Sequence, residues 1–156
     1  IEYKGFIFIG LIKVGDEPKV IEYNARMGDP ETEVVLPRIK NDLVTMFEKV
    51  AAQKLDEVEL DLDPRFAATV MLVSGGYPEA YKKGMKLTGS ETIEDALVFH
   101  AGTSLKDGEI ITAGGRVMAI TSLHEDFRKA LDNSYENIKK ISFDKMNYRT
   151  DIGFDL

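Results

Sequence analysis

The sequence predicts an α+β protein in two unequal pieces. Three observations point there. Strand-like and helix-like patterns run in the order strand, strand, helix, then several strands and a helix; the clearest long helical pattern lies near the end; and an acidic stretch of weak periodicity, Gln53 to Pro64, parts the two runs. The predicted pieces are residues 1–60 and 61–156.

Each element has its own signal. Gly5 to Ile12 is dense in β-branched and aromatic residues and carries no charge, as in a strand buried on both faces. Gly15-Asp16-Glu17-Pro18 forms a turn, and Lys19 to Asn24 returns as an antiparallel partner. Beyond Gly28-Asp29-Pro30, the spacing of Ile39, Leu43, Met46, Phe47 and Val50 predicts a helix, with Glu31 and Glu33 suited to its start and Pro37 tolerable only near that start. Phe66 to Ser74 reads as a third strand, closed by Gly75-Gly76-Tyr77-Pro78. Leu97 to Ala101 follows, then a hairpin around Lys106-Asp107-Gly108 whose second arm is Glu109 to Thr112, then a strand from Arg116 to Thr121. From His124 to about Ile141 a helix lines up Phe127, Ala130, Leu131, Ser134, Tyr135 and Ile138.

Composition narrows the function classes. With 44% hydrophobic residues the chain has material for a core, and no apolar run approaches the ~20 residues of a membrane span. Lysine and arginine number 20 against 27 acidic residues, a net charge of -7 that argues against nucleic acid as the main partner. The absence of cysteine excludes disulfides and thiolate metal sites and agrees with a cytoplasmic address. The chain begins Ile1-Glu2-Tyr3 without an initiator Met, so a processed chain or a fragment is expected.

The informative stretch is Glu22-Tyr23-Asn24-Ala25-Arg26. Strand alternation sets Glu22 and Asn24 on one face, about 6.6 Å apart, with Arg26 a further step on. A carboxylate beside an amide oxygen offers two hard ligands to a hard cation, and a guanidinium grips phosphate or carboxylate in bidentate fashion. Taken alone, the pattern fits a half-exposed strand with a polar face better than a site.

The longer run from Glu22 to Glu33 resembles the metal strand and following loop of ATP-grasp ligases, whose pattern is Glu-x-Asn-x-Arg. With Gly28-Asp29-Pro30-Glu31-Thr32-Glu33 leading to Leu36-Pro37-Arg38, it looks specifically like the phosphoribosylamine-glycine ligase (GAR synthetase) family. The likeness extends through Val70 to Pro78, Phe99 to Thr103, Gly114-Gly115-Arg116-Val117 and Tyr148 to Phe154, essentially the whole chain. It implies the tail of an ATP-grasp domain, antiparallel strands plus helix, followed by a small β-rich C-terminal domain with one long helix. The implied reaction joins glycine to 5-phosphoribosylamine through a glycyl phosphate, with ATP as co-substrate and ADP and phosphate released, in purine biosynthesis.

By the same resemblance Glu22 and Asn24 are the Mg²⁺ or Mn²⁺ ligands, Arg26 is the catalytic cation that meets the transferring phosphoryl group or acyl phosphate, and Asp29 contacts the substrate amine. For Asp29 a capping role stands equally open, and for Glu31 capping is favoured; the helix behind them would turn its N-terminus toward phosphate. Many ATP-grasp enzymes carry a further acidic ligand on the preceding strand. The matching place is near Gly10, and Gly5 to Ile12 contains no acid. A fragment of this kind is expected to be inactive alone.

Other features weigh less. Ser74-Gly75-Gly76 and Gly114-Gly115-Arg116 fit turns better than phosphate cradles, Arg116 fits a surface ion pair, and neither His100 nor His124 has the neighbours of a triad or zinc site. The rival reading is a non-catalytic binding or carrier module with a barrel-like β domain, in which Lys86 of Met85-Lys86-Leu87 would be the carrier lysine.

Overall fold

In the computed structural model, which describes residues 1–154 and 156, the chain is α+β with antiparallel sheets and three α-helices among the described residues. It divides into two compact units, Ile1–Asp63 and Pro64–Leu156.

The first unit opens with an antiparallel hairpin of β1 (Phe8–Val14) and β2 (Glu17–Asn24). Its pairing carries a bulge: Gly10 faces Glu22 while Leu11 faces Val20, which leaves Ile21 as the extra residue on β2. The expectation that β1 is buried on both faces is not met in this chain. Ile9, Leu11, Ile12 and Val14 are exposed, because a two-stranded hairpin has no second layer of its own to cover either face.

The single helix expected after Pro30 is instead broken. A short α1 (Thr32–Val35) runs into a 3₁₀ turn, Leu36–Arg38, and α2 (Leu43–Ala51) starts afresh, capped by the Asp42 carboxylate accepting the Thr45 N–H at 2.8 Å. Residues 38–41 are held extended against 59–63. Ile39 bridges Leu62, the Lys40 N–H donates to Asp61 O, and the Asn41 amide both donates to Glu59 O and accepts from the Asp61 N–H.

The second unit is built on a four-stranded sheet of order β4-β7-β3-β8, from β3 (Phe66–Ser74), β4 (Leu97–His100), β7 (Arg116–His124) and β8 (Met146–Asn147). A separate hairpin joins β5 (Thr103–Lys106) to β6 (Glu109–Thr112). In β3 the period-two pattern buries Ala68, Val70, Leu72 and Ser74, whereas β7, flanked by strands on both sides, is buried from Val117 to Ser122. Helix α3 (Phe127–Ile138) crosses these two strands. Its Ala130, Leu131 and Ile138 close the core with Val70, Leu72, Met118 and Ile120, and the buried Ser134 hydroxyl donates to Ala68 O at 2.8 Å.

Candidate functional site

In the first unit, β2 sets Glu22 and Asn24 two residues apart on one face. The bulge falls just before Glu22, so the alternation from Glu22 to Asn24 stays intact. Across the pairing stand Gly10 opposite Glu22 and Phe8 opposite Asn24. A side chain on Gly10 would meet Glu22 Cγ at 3.1 Å and the Phe8 ring at 3.6 Å, so the missing Cβ makes the room in which the Glu22 side chain lies. Glu22 is exposed and Asn24 half-buried.

Arg26 lies past the end of β2, in the bend that follows, and one of its N–H groups donates to Met27 O at 2.9 Å. The bend is anchored from the N-terminal side, where the Tyr3 hydroxyl lies 2.8 Å from Phe6 O and 3.0 Å from Ala25 O.

Asp29 follows in the next turn, exposed, with a cis bond to Pro30. Gly28, between Arg26 and this turn, is buried, and the Thr32 hydroxyl donates to its carbonyl at 2.6 Å. Glu31 occupies the N-cap position of α1 but makes no side-chain cap; its carboxyl group folds over Gly28, where an added Cβ would fall 2.3 Å from Oε2. The favoured capping role for Glu31 is therefore replaced by packing against Gly28. At four residues α1 is also too short to act as the phosphate-facing helix.

Glu33, read from sequence only as helix-start chemistry, keeps Oε2 out of solvent without a hydrogen-bond partner. Such an oxygen carries a desolvation cost that a cation or donor would relieve. Nothing in the apolar spacing signals that burial.

Hard oxygen donors on one face, with room opposite, fit a cation such as Mg²⁺ that takes one or two protein ligands and completes its shell from water and phosphate. Among the described residues no group of three or more His, Asp or Glu is gathered to hold a metal by itself.

In the second unit, Arg116 starts β7 opposite Val73, exposed; His100 Nδ1 lies 2.9 Å from the Thr103 hydroxyl; and His124 Nδ1 accepts the Asp126 N–H at 2.9 Å. Lys86, the carrier lysine of the rival reading, bridges Ile111 through its backbone, and its exposed amine lies 2.5 Å from Glu109 Oε1. No helix among the described residues is long and apolar enough to cross a membrane.

An antiparallel α+β chain with an oxygen-donor pair on an open hairpin is the class that these features define. Residues 67–155, almost all of the second unit, match the family described as phosphoribosylglycinamide synthetase, C domain, and the chain belongs to that family. The phosphoribosylamine–glycine ligase of Caldanaerobacter subterraneus is 44% identical over 152 residues, covering 97% of this chain and 36% of that protein. The enzyme of the same name from Vibrio parahaemolyticus is 46% identical over 155 residues, with the same coverage of 97% and 36%. The crystal structure of the phosphoribosylamine–glycine ligase of Thermotoga maritima superimposes with a TM-score of 0.80 at 35% identity, over 93% of this chain and 36% of that one. The chain thus spans little more than a third of the length of these relatives.

Proposed function

We propose that this chain works as the C-terminal portion of an ATP-dependent carbon–nitrogen ligase that joins glycine to 5-phosphoribosylamine, a step of purine biosynthesis. The observation that carries the reading is the Glu22 and Asn24 pair on one face of β2, with Gly10 opposite Glu22, in a chain whose relatives bear the name phosphoribosylamine–glycine ligase. Residues 1–60 would complete an ATP-grasp domain and 61–156 form the C-terminal domain. The exposed apolar hairpin supports this assignment, since a strand pair carrying exposed Ile9, Leu11 and Ile12 is suited to a larger sheet.

In this reaction a carboxylate oxygen of glycine attacks the terminal phosphorus of ATP and ADP departs. The amine nitrogen of phosphoribosylamine then attacks the acyl carbon, inorganic phosphate leaves and a proton is lost. Two anions must meet, so cationic groups have to offset the charge that builds up. Glu22 and Asn24 would hold Mg²⁺ or Mn²⁺, which when bound supplies charge neutralisation at the phosphates. Arg26 has its guanidinium directed by the Met27 carbonyl and offers its remaining N–H donors to the transferring phosphoryl or acyl-phosphate oxygens. Asp29 would accept a hydrogen bond from the substrate amine.

In the full-length enzyme, Glu22→Ala and Asn24→Ala are each expected to lower turnover at limiting Mg²⁺ by roughly tenfold or more and to weaken Mn²⁺ binding seen by electron paramagnetic resonance. Unchanged turnover and unchanged Mn²⁺ binding in both variants would sink the metal assignment. The 156 residues by themselves are expected to form no glycinamide ribonucleotide.

A further inference from the structure

Residues 1–7 form no strand or helix, yet three side chains pin them within the first unit. The Lys4 amine donates to Ala51 O at 2.8 Å at the end of α2, the Phe6 ring meets Phe47 of the same helix edge-on at 5.9 Å, and the Tyr3 hydroxyl donates to Ala25 O at 3.0 Å. We propose that Tyr3 is a positioning residue for the ligase reaction, holding the Ala25 carbonyl so that Arg26 presents its guanidinium in one fixed direction. The inference rests on the reading of Arg26 as the cation that meets the transferring phosphoryl group.

The Ala25 C=O and the Arg26 N–H belong to one planar peptide group, so a donor on that oxygen fixes the plane from which the Arg26 side chain departs. Ala25 lies just beyond the end of β2, and among the described residues no turn hydrogen bond closes the bend at residues 25 and 26. The bend therefore takes its direction from elsewhere, and Tyr3 supplies a tie across 22 residues of sequence. The bond from Arg26 to Met27 O, at 2.9 Å, sets the guanidinium relative to the next residue, while Tyr3 sets the backbone that carries both.

The phenol has a seat prepared for it. Its oxygen also lies 2.8 Å from Phe6 O, so its single proton serves one carbonyl of its own arm and one of the bend. The ring folds back over Gly5, at φ 153, where an added Cβ would fall 2.7 Å from the hydroxyl oxygen and 3.1 Å from Cζ. Glycine alone leaves that room. Tyr3 is 48% exposed, so burial of its ring is a weak reason for this arrangement and the two hydroxyl bonds are the stronger one.

In the full-length enzyme Tyr3→Phe, which removes only the hydroxyl, is expected to lower kcat roughly tenfold while KM for ATP and glycine and the circular dichroism spectrum stay unchanged. Gly5→Ala, which crowds the phenol from its seat, should lower kcat as well. In an Arg26→Ala background Tyr3→Phe should have no further effect, because a residue that acts through Arg26 then has nothing to position. An unchanged kcat in Tyr3→Phe, a loss carried by KM alone, or an equal loss with and without Arg26 overturns the proposal. Any of these leaves the ligase reading standing so long as Arg26→Ala itself lowers turnover. Undiminished turnover in Arg26→Ala removes the reading of Arg26, and this proposal with it.

Discussion

A methyl group at position 10 would press on Glu22 Cγ at 3.1 Å, and the atom it meets belongs to a flexible side chain that can swing away. Gly10→Ala is therefore expected to leave the β1–β2 hairpin paired but to displace the Glu22 side chain. On the proposed role of Glu22 as a metal ligand, Mn²⁺ affinity of the full-length enzyme should then fall roughly tenfold, while circular dichroism stays unchanged. Unaltered Mn²⁺ affinity in Gly10→Ala, with affinity lost in Glu22→Ala, would show that the room opposite Glu22 plays no part. At this scale the sequence was legible where period two survives: Glu22 and Asn24 share a face because the bulge at Ile21 falls before them. The buried, unpaired oxygen of Glu33 was not legible, because burial of a single side-chain atom is set by tertiary packing that residue spacing does not encode.

Among the elements, Phe66–Ser74 and the hairpin Thr103–Thr112 follow their patterns directly, since local turn chemistry and alternating burial agree there. Residues 31–51 diverge from theirs. Their apolar spacing is helical, but Pro37 and the Asn41 side-chain bonds to Glu59 and Asp61 draw residues 38–41 into pairing with a distant segment. Tertiary hydrogen bonds override local spacing in that case. The two-residue β8 has too few residues to carry a pattern. Helix α3 is set at its N-terminus by Asp126, whose carboxylate accepts the Lys129 N–H at 3.0 Å, and that bond holds its pKa below the ordinary carboxylate value. A lowered folded-state pKa means stability that is fully present above the unfolded-state value and is lost as pH falls through the folded-state one. Asp126→Ala should lower Tm at neutral pH, and the gap from the parent protein should close as the solution is acidified into the range where the parent carboxyl protonates. Thermal melts across that range check it; a gap that stays constant with pH would mean that the charge of the cap is irrelevant.

Over the whole molecule the apolar core is distributed unevenly. Every fully buried hydrophobic residue among those described, from Ala68 to Phe143, lies in the second unit, while the first keeps Ile7, Leu11, Ile21 and Tyr23 exposed. Burial of a large aliphatic side chain contributes about 1.5–3 kcal/mol, so the driving force for folding is concentrated after Pro64. Residues 64–156 expressed alone are accordingly expected to fold and to unfold in one cooperative transition. Within that piece Leu72→Ala, which empties a fully buried site of the core on β3, should cost about 2–5 kcal/mol. Denaturant unfolding followed by both circular dichroism and fluorescence tests the first expectation through coincident transitions, and the shift in midpoint at constant slope tests the second. Non-coincident or broad transitions would mean that the sheet and α3 need residues 1–63 to hold together. Coincident ones would mean that the sheet and α3 fold without residues 1–63.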